Sequence, residues 1–344
     1  MKHRADEDIG PYALSPERCS VCYFQFIRRF LMFSELLIST LMQGLIYALV
    51  SFGVYITYSI LDFPDLGVDG TFPLGAAVTA VALTHGVSAW ATLPIAMVVG
   101  ALAGLVTGFI HVKLKVRNML AGIITQTALY SINLQIGGSN LNVDRSIDTI
   151  FTSPAVMAVL GEQTLMIRKV IVSALLILVV KVALDLYFKT KSGLLLRAVG
   201  DNAGLVTALA KDRGTVKILG LMISNALVAL GGCIVCHEQR SFNATMGTGQ
   251  LVFGLAAVII GVSIVNFYAA SPVSRKLRDV KVLKFLASPA GTTAVILGSV
   301  LYKMCIQMAM SVGVPANMMK FITAMLFLVV LVVSGRKGEN IINA

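Results

Sequence analysis

The chain has 344 residues, 57% of them hydrophobic and 13% charged, with a mean hydropathy of +0.84 and a formal net charge of +11. Soluble globular domains carry about 25% charged and about 45–50% apolar residues. The composition therefore excludes an ordinary cytosolic domain, a disordered chain, a collagen and a disulfide scaffold, and leaves an all-α polytopic membrane protein.

Residues 1–33 read as a polar N-terminal arm. Asp6, Glu7 and Asp8 sit where a secretory signal needs positive charge followed by an apolar run. Pro11 and Pro16 argue against a long helix there, and Arg28 and Arg29 precede the first apolar stretch. Residues 34–335 form the membrane domain and 336–344 a tail. A spanning helix needs about 20 apolar residues. Stretches of that kind occur at Leu36–Leu61, Asn118–Gly137, Ile218–Cys236, Leu251–Tyr268, Pro289–Met310 and Asn317–Ser334. Gly70–Val112 is long enough for two passes, divided near His85–Ser88, and Val170–Phe188 is apolar except for Lys181 and Asp185. The strict alternation of barrel strands is absent.

Between the first two spans lies Asp62-Phe-Pro-Asp-Leu-Gly-Val-Asp-Gly-Thr-Phe-Pro-Leu-Gly75. Its prolines, glycines and aspartates do not suit a continuous lipid-facing helix, and such backbone is tolerated at membrane depth only inside protein or beside water. Residues 62–86 are expected to be a broken or re-entrant element, with Gly70 where the backbone turns or approaches closely and Gly86 in an ordinary loop. About eight full spans then place both termini on the cytosolic side.

Orientation follows from Lys and Arg. Clusters at Lys113–Arg117, Lys189–Lys217, Arg275–Lys284 and Arg336–Lys337 are all expected in the cytosol. The same rule accounts for the net charge, so no nucleic-acid partner is expected. Within the cytosolic segment 189–217, Asp201 is a good N-cap for a short helix over Ala203–Lys211. Leu205 and Leu209 lie one turn apart on that helix and Gly214 stops it. It is either a docking element or a plain surface loop.

These segments resemble the membrane permeases of bacterial ABC importers, the group that includes branched-chain amino acid and ribose permeases. Gln43–Gly53 is similar to that group's first span. Asp65-Leu-Gly-Val-Asp-Gly70 with Phe72–Ala77 is similar to its broken second element. Leu196-Arg-Ala-Val-Gly-Asp-Asn202 with Ala208-Leu-Ala210 resembles its ATPase-coupling segment. Asn225–Gly232, Met246–Gly249 and Leu255–Gly261 continue the likeness, which covers residues 34–334. The arm 1–33 has no counterpart, and Asn266–Ser288 is longer than the usual connection.

The resemblance implies a permease subunit of an ATP-driven importer in the bacterial cell membrane, carrying an amino acid or related small solute by alternating access. Its implied partners are a cytosolic ATP-binding-cassette ATPase, an external solute-binding protein and a second copy of the chain. Arg197, Gly200, Asp201, Asn202, Leu205 and Leu209 would couple to the ATPase. The alternatives are a secondary transporter, whose usual inverted repeat is not visible in this sequence, and a membrane scaffold without transport.

Polar groups within apolar runs are the candidates for the translocation path: Asp65, Asp69, Gly70, Asn133 and Asn225. Both aspartates could equally serve backbone N–H groups around the break, and the asparagines could make interhelical hydrogen bonds. Gly100, Gly104 and Gly108 recur every fourth residue and mark a close helix contact. Lys303 has no evident role.

No catalytic, cofactor or metal site is expected. No P-loop is present, so ATP hydrolysis falls to a separate subunit. The four histidines are scattered. Cys19 and Cys22 share the spacing of Cys233 and Cys236 but are expected at the opposite membrane face, and Cys305 reads as core.

Overall fold

The computed structural model describes residues 16–161, 165–201, 213–270, 291–311, 313, 315 and 318–342, with side chains from Glu35 onward except at 201, 266–270, 319 and 333–342. Asn202, Leu205, Leu209 and the third basic cluster lie outside the described residues.

The first helix, α1, runs Pro16–Tyr55 and passes into a π-helical turn over Ile56–Ile60. It therefore starts well before the first apolar run, with Pro16 at its first position, where a missing N–H costs nothing. The next helices are α2 (Val68–Thr84), α3 (Ala89–Val112) and α4 (Asn118–Gly137). A short strand β1 (Asn140–Asn142), α5 (Pro154–Leu160), α6 (Leu165–Tyr187) and α7 (Lys191–Asp201) follow. The second half holds α8 (Arg213–Gln239), β2 (Ser241–Asn243), α9 (Gln250–Ala270), α10 (Gly291–Ser311) and α11 (Met319–Ile342). Strands β1 and β2 pair antiparallel, Leu141 opposite Phe242.

Among the described residues, five stretches are long and apolar enough to cross a membrane: Glu35–Ile60, α3, α6, α8 and α10. Apolar runs in α2, α9 and α11 are shorter. Helix α4 has the length but carries Gln126, Asn133 and Gln135.

Helix α8 is the hub, with an almost fully buried run from Ser224 to His237. Its neighbours fix the direction of the others. Gly53, Val50 and Leu61 of the α1 region meet Ser224, Gly231 and Gly220, so α1 is antiparallel to α8. Thr92 meets His237, Gly100 meets Asn225 and Gly108 meets Ile218, so α3 is antiparallel as well. Thr71 meets Asn225 and Gly75 meets Ala229, so α2 runs parallel to α8. The start of α8, the end of α3 with Lys113 and the end of α1 share one face, here the basic face.

Two points follow. The element 62–86 is broken and not re-entrant: after the interruption, α2 carries the chain from the middle of the bundle toward the opposite face. The start of the membrane part of α1, at Glu35, then lies opposite the basic face. The reason for separating the two cysteine pairs falls with it.

The halves of the chain repeat in inverted order. Helix α3 packs on α8 as α10 packs on α1, and α2 packs on α8 as α9 packs on α1. Helix α4 lies against α2 as α11 lies against α9. The repeat left no readable trace in sequence because each half uses different side chains at equivalent crossings. Thr71–Asn225 in one half has the rings of Tyr47 and Phe253, 5.1 Å apart, as its counterpart in the other.

Candidate functional site

The break after α1 is built by its residues. The π turn shifts the register, with Leu61 N–H bonded to Ile56 O and Phe63 N–H to Thr57 O, and Asp62 adopts φ +60°. Pro64 removes one donor, and α2 starts only at Val68. Asp65, 2% exposed, binds this corner. Its Oδ1 accepts the Gly67 N–H at 2.8 Å and its Oδ2 accepts Asn225 Nδ2–H at 2.8 Å. Asn225 Nδ2 also donates to Leu221 O, and its Oδ1 accepts the Thr71 hydroxyl at 2.7 Å. Asp65 is thus satisfied by neutral donors and ties the break to α8.

After β2 the chain turns back toward the middle of the bundle, where α9 begins. Gly249 has φ +88°, a conformation that suits glycine. The Asp69 carboxylate spans the start of α9, with Oδ2 accepting Gly249 N–H at 3.0 Å and Oδ1 accepting Leu251 N–H at 2.8 Å. Asp69 itself lies in the first turn of α2. Two half-helix N-termini therefore meet at Asp69, level with the midpoint of α8. A carboxylate there offsets both positive helix ends. Pro73 withholds the N–H that would bond the Asp69 carbonyl, and Gly247 packs against that carbonyl without a side chain to obstruct it.

A cavity of about 410 Å³ opens beside this junction, lined by Asp69, Gly70, Pro73, Gln126, Thr127, Tyr130, Asn133, Ala244 and Thr248. Asn133 is fully buried and donates to Gly70 O at 3.0 Å, while its Oδ1 has no partner. Tyr130, 46% exposed, carries the cavity to the flank of the bundle.

The candidate path residues divide into two layers. Asp69, Gly70 and Asn133 line the cavity, whereas Asp65 and Asn225 lie behind it and hold its floor. Gln126, Tyr130 and Asn133 share one face of α4 at i, i+4 and i+7, a polar stripe legible in the sequence. Thr248 reaches the cavity only through the return of the chain to α9, which no local signal announces. Gly70 sits in the first turn of α2, where Gln126 and Leu129 approach it closely, the second of the two roles expected of it. The unusual backbone belongs to Gly86, with φ +78°.

The coupling segment is described only up to Asp201 and from Arg213 onward, so the helix expected over Ala203–Lys211 lies outside the described residues. Asp201 is the last residue of α7, a helix that occupies much of what read as loop. Leu196 and Val199 are buried, and Gly200 abuts the carbonyl of Ile60 so closely that any side chain would collide. Gly200 therefore seats α7 on the end of α1. Arg197 is exposed, with its guanidinium 5.0 Å from the centre of the Phe188 ring, and Leu194 is 57% exposed beside it.

The glycine row performs as read. Gly100, Gly104 and Gly108 meet the backbone of α8 at Asn225–Ala226, Leu221–Met222 and Ile218. Cys305 is exposed on the flank of α10 and is not core. Lys303 Nζ lies 3.5 Å from the centre of the Tyr47 ring and 5.2 Å from that of Phe253.

Comparison with known proteins adds three findings. The family described as "Branched-chain amino acid transport system / permease component" matches residues 36–331. The chain is 37% identical over 292 residues to a tyrosine transport system permease protein of Clostridioides difficile, covering 85% of this chain and 89% of that protein. It is 25% identical to a ribose import permease protein of Haemophilus influenzae, covering 65% and 68%, and 24% identical to a probable branched-chain amino acid transport permease protein of Methanocaldococcus jannaschii, covering 74% and 82%. No solved structure matches the chain.

Proposed function

We propose, since the chain belongs to the family of branched-chain amino acid transport system permease components, that it is the translocating subunit of an ATP-driven importer for an amino acid. It is an ABC-type permease of small solutes and a multi-pass protein of the cell membrane. The finer reading adds a cytosolic ATPase that hydrolyses ATP, an external solute-binding protein and a second copy of this chain.

The observation that carries the reading is the polar cavity at mid-bundle, where two half-helices meet. Intramembrane polar groups mark a pathway or pair with one another, and half-helix ends recur at substrate sites in transporters. Asp69, Gly70 and Asn133 form the path wall in this reading, with Asp65 and Asn225 as its support. Arg197, Asn202, Leu205 and Leu209 contact the ATPase, Asp201 joins α7 to the contacting helix, and Gly200 keys α7 to α1. A displacement of the coupling segment then reaches Ile60 directly, and Ile60 leads into the break that carries Asp65. ATPase closure would thereby rock the half-helices and alternate the access of the cavity.

The inverted repeat gives specific support to a second reading, a secondary transporter. Leu209→Asp separates the two. An unpaired charge in an apolar contact is disfavoured, so the variant should insert normally yet lose co-purification with the ATPase and substrate-stimulated ATP hydrolysis in reconstituted membranes. Retention of both at normal expression overturns the coupling assignment, and uptake that persists without any ATPase favours the secondary transporter.

A further inference from the structure

We infer that the cavity between α2, α4 and the segment preceding α9 recognises a protonated primary amine, with the Asp69 carboxylate as its anion. The inference rests on the proposed transport of an amino acid and names the part of the substrate this site reads.

The charge of the lining comes first. Asp69 is the charged residue among the lining side chains, and neither Lys nor Arg is among them. A net negative wall at mid-bundle depth repels a free carboxylate and attracts a cation or the ammonium end of a zwitterion. The valence of Asp69 comes next. A carboxylate offers about four acceptor positions across its two oxygens. Two are used by Gly249 N–H and Leu251 N–H, one on each oxygen, and Gln250 N–H also faces the carboxylate, so three backbone donors draw on the four positions. These bonds anchor the carboxylate against the start of α9 and leave acceptor capacity toward the cavity it lines.

The remaining walls suit the other ammonium hydrogens. Gln126 and Thr248 supply neutral oxygens, and Asn133 Oδ1 is buried with no hydrogen-bond partner. A buried acceptor left unmade is costly, and a donor entering the cavity would relieve it. Tyr130 adds a ring at the mouth, a face that attracts cations and stacks on an aromatic substrate side chain. The volume, about 410 Å³, is within the usual range for small-molecule sites. A polyol could use the neutral groups, but it would leave the carboxylate without a counter-charge.

The test uses the full chain in lipid vesicles, with Cys19, Cys22 and Cys305 changed to Ser and Thr127→Cys as the reporter. The rate of labelling by a small thiol reagent is read with L-phenylalanine, phenethylamine or 3-phenylpropanoate present. A probe that occupies the cavity at ten times its Kd slows labelling about tenfold. Phenylalanine and phenethylamine should do so, and 3-phenylpropanoate should leave the rate unchanged. Asp69→Asn should remove the protection, each chain being compared with its own unliganded rate. The comparison among probes is made with Asp69 intact, so it does not depend on the folding of that variant. Equal protection by 3-phenylpropanoate, or no protection by either amine, overturns the inference. ATP-driven uptake without amine protection sinks this site and leaves the proposed function standing. Amine protection without ATP-driven uptake does the reverse.

Discussion

Asp65 and Asp69 stand four residues apart, yet they answer to different demands. Asp65 is closed off, and its donors come from Gly67 and from Asn225. Removing one donor to a buried carboxylate costs roughly 1.5–3 kcal/mol. Asn225→Ala should lose about that much stability, seen as a lower thermal midpoint in detergent, whereas Thr71→Val, which removes a neutral bond, should lose about 0.5–1.5 kcal/mol. Equal losses would show that Asp65 does not depend on Asn225. Both aspartates stood out in the sequence as charges beside an apolar run, and that much of the site was legible. Which one faces a cavity was not, because the donors to Asp69 lie 180 and 182 residues away.

Between helices the controlling quantity is the distance of backbone approach. A side chain at Gly104 would strike the backbone of Leu221 and Met222. Overpacking costs typically about 1–3 kcal/mol. Gly104→Leu should therefore lower expression and the thermal midpoint, while Leu105→Ala, on the exposed flank of α3, should change little. Thermal shift of the purified variants measures both, and equal shifts would count against the α3–α8 contact. The glycine spacing made this helix face readable without a structure, as the polar stripe did for α4. Helix α7 is only half legible: Gly193, Leu196, Val199 and Gly200 recur at helical spacing, but Asp201 at its end also suits a helix start. The end of that segment is fixed by the carbonyl of Ile60, a partner that no local pattern encodes.

At the scale of the whole molecule the inverted halves fix which ends share a face. Glu35 begins the membrane part of α1, and 25 residues of helix separate it from Ile60, about 37 Å at 1.5 Å per residue. Single cysteines at Glu35 and Ser146 should react with an impermeant reagent from the same side of sealed vesicles, and one at Lys191 from the other side. Labelling of Glu35→Cys together with Lys191→Cys would restore the arrangement first read from the charges. Those charges could not show whether residues 62–86 cross, because a broken helix and a hairpin have the same composition. The tie between Asp65 and Asn225 also has a consequence for biosynthesis. The two residues are 160 apart in the chain. A ribosome adding about 5–20 residues per second needs roughly 8–30 s to make the second after the first. Until then α2 can pack on α3 and α4, but Asp65 lacks the side-chain donor that closes it off. A stalled chain ending before Arg213 should leave Gly67→Cys open to a thiol reagent, and release of the full chain should close it.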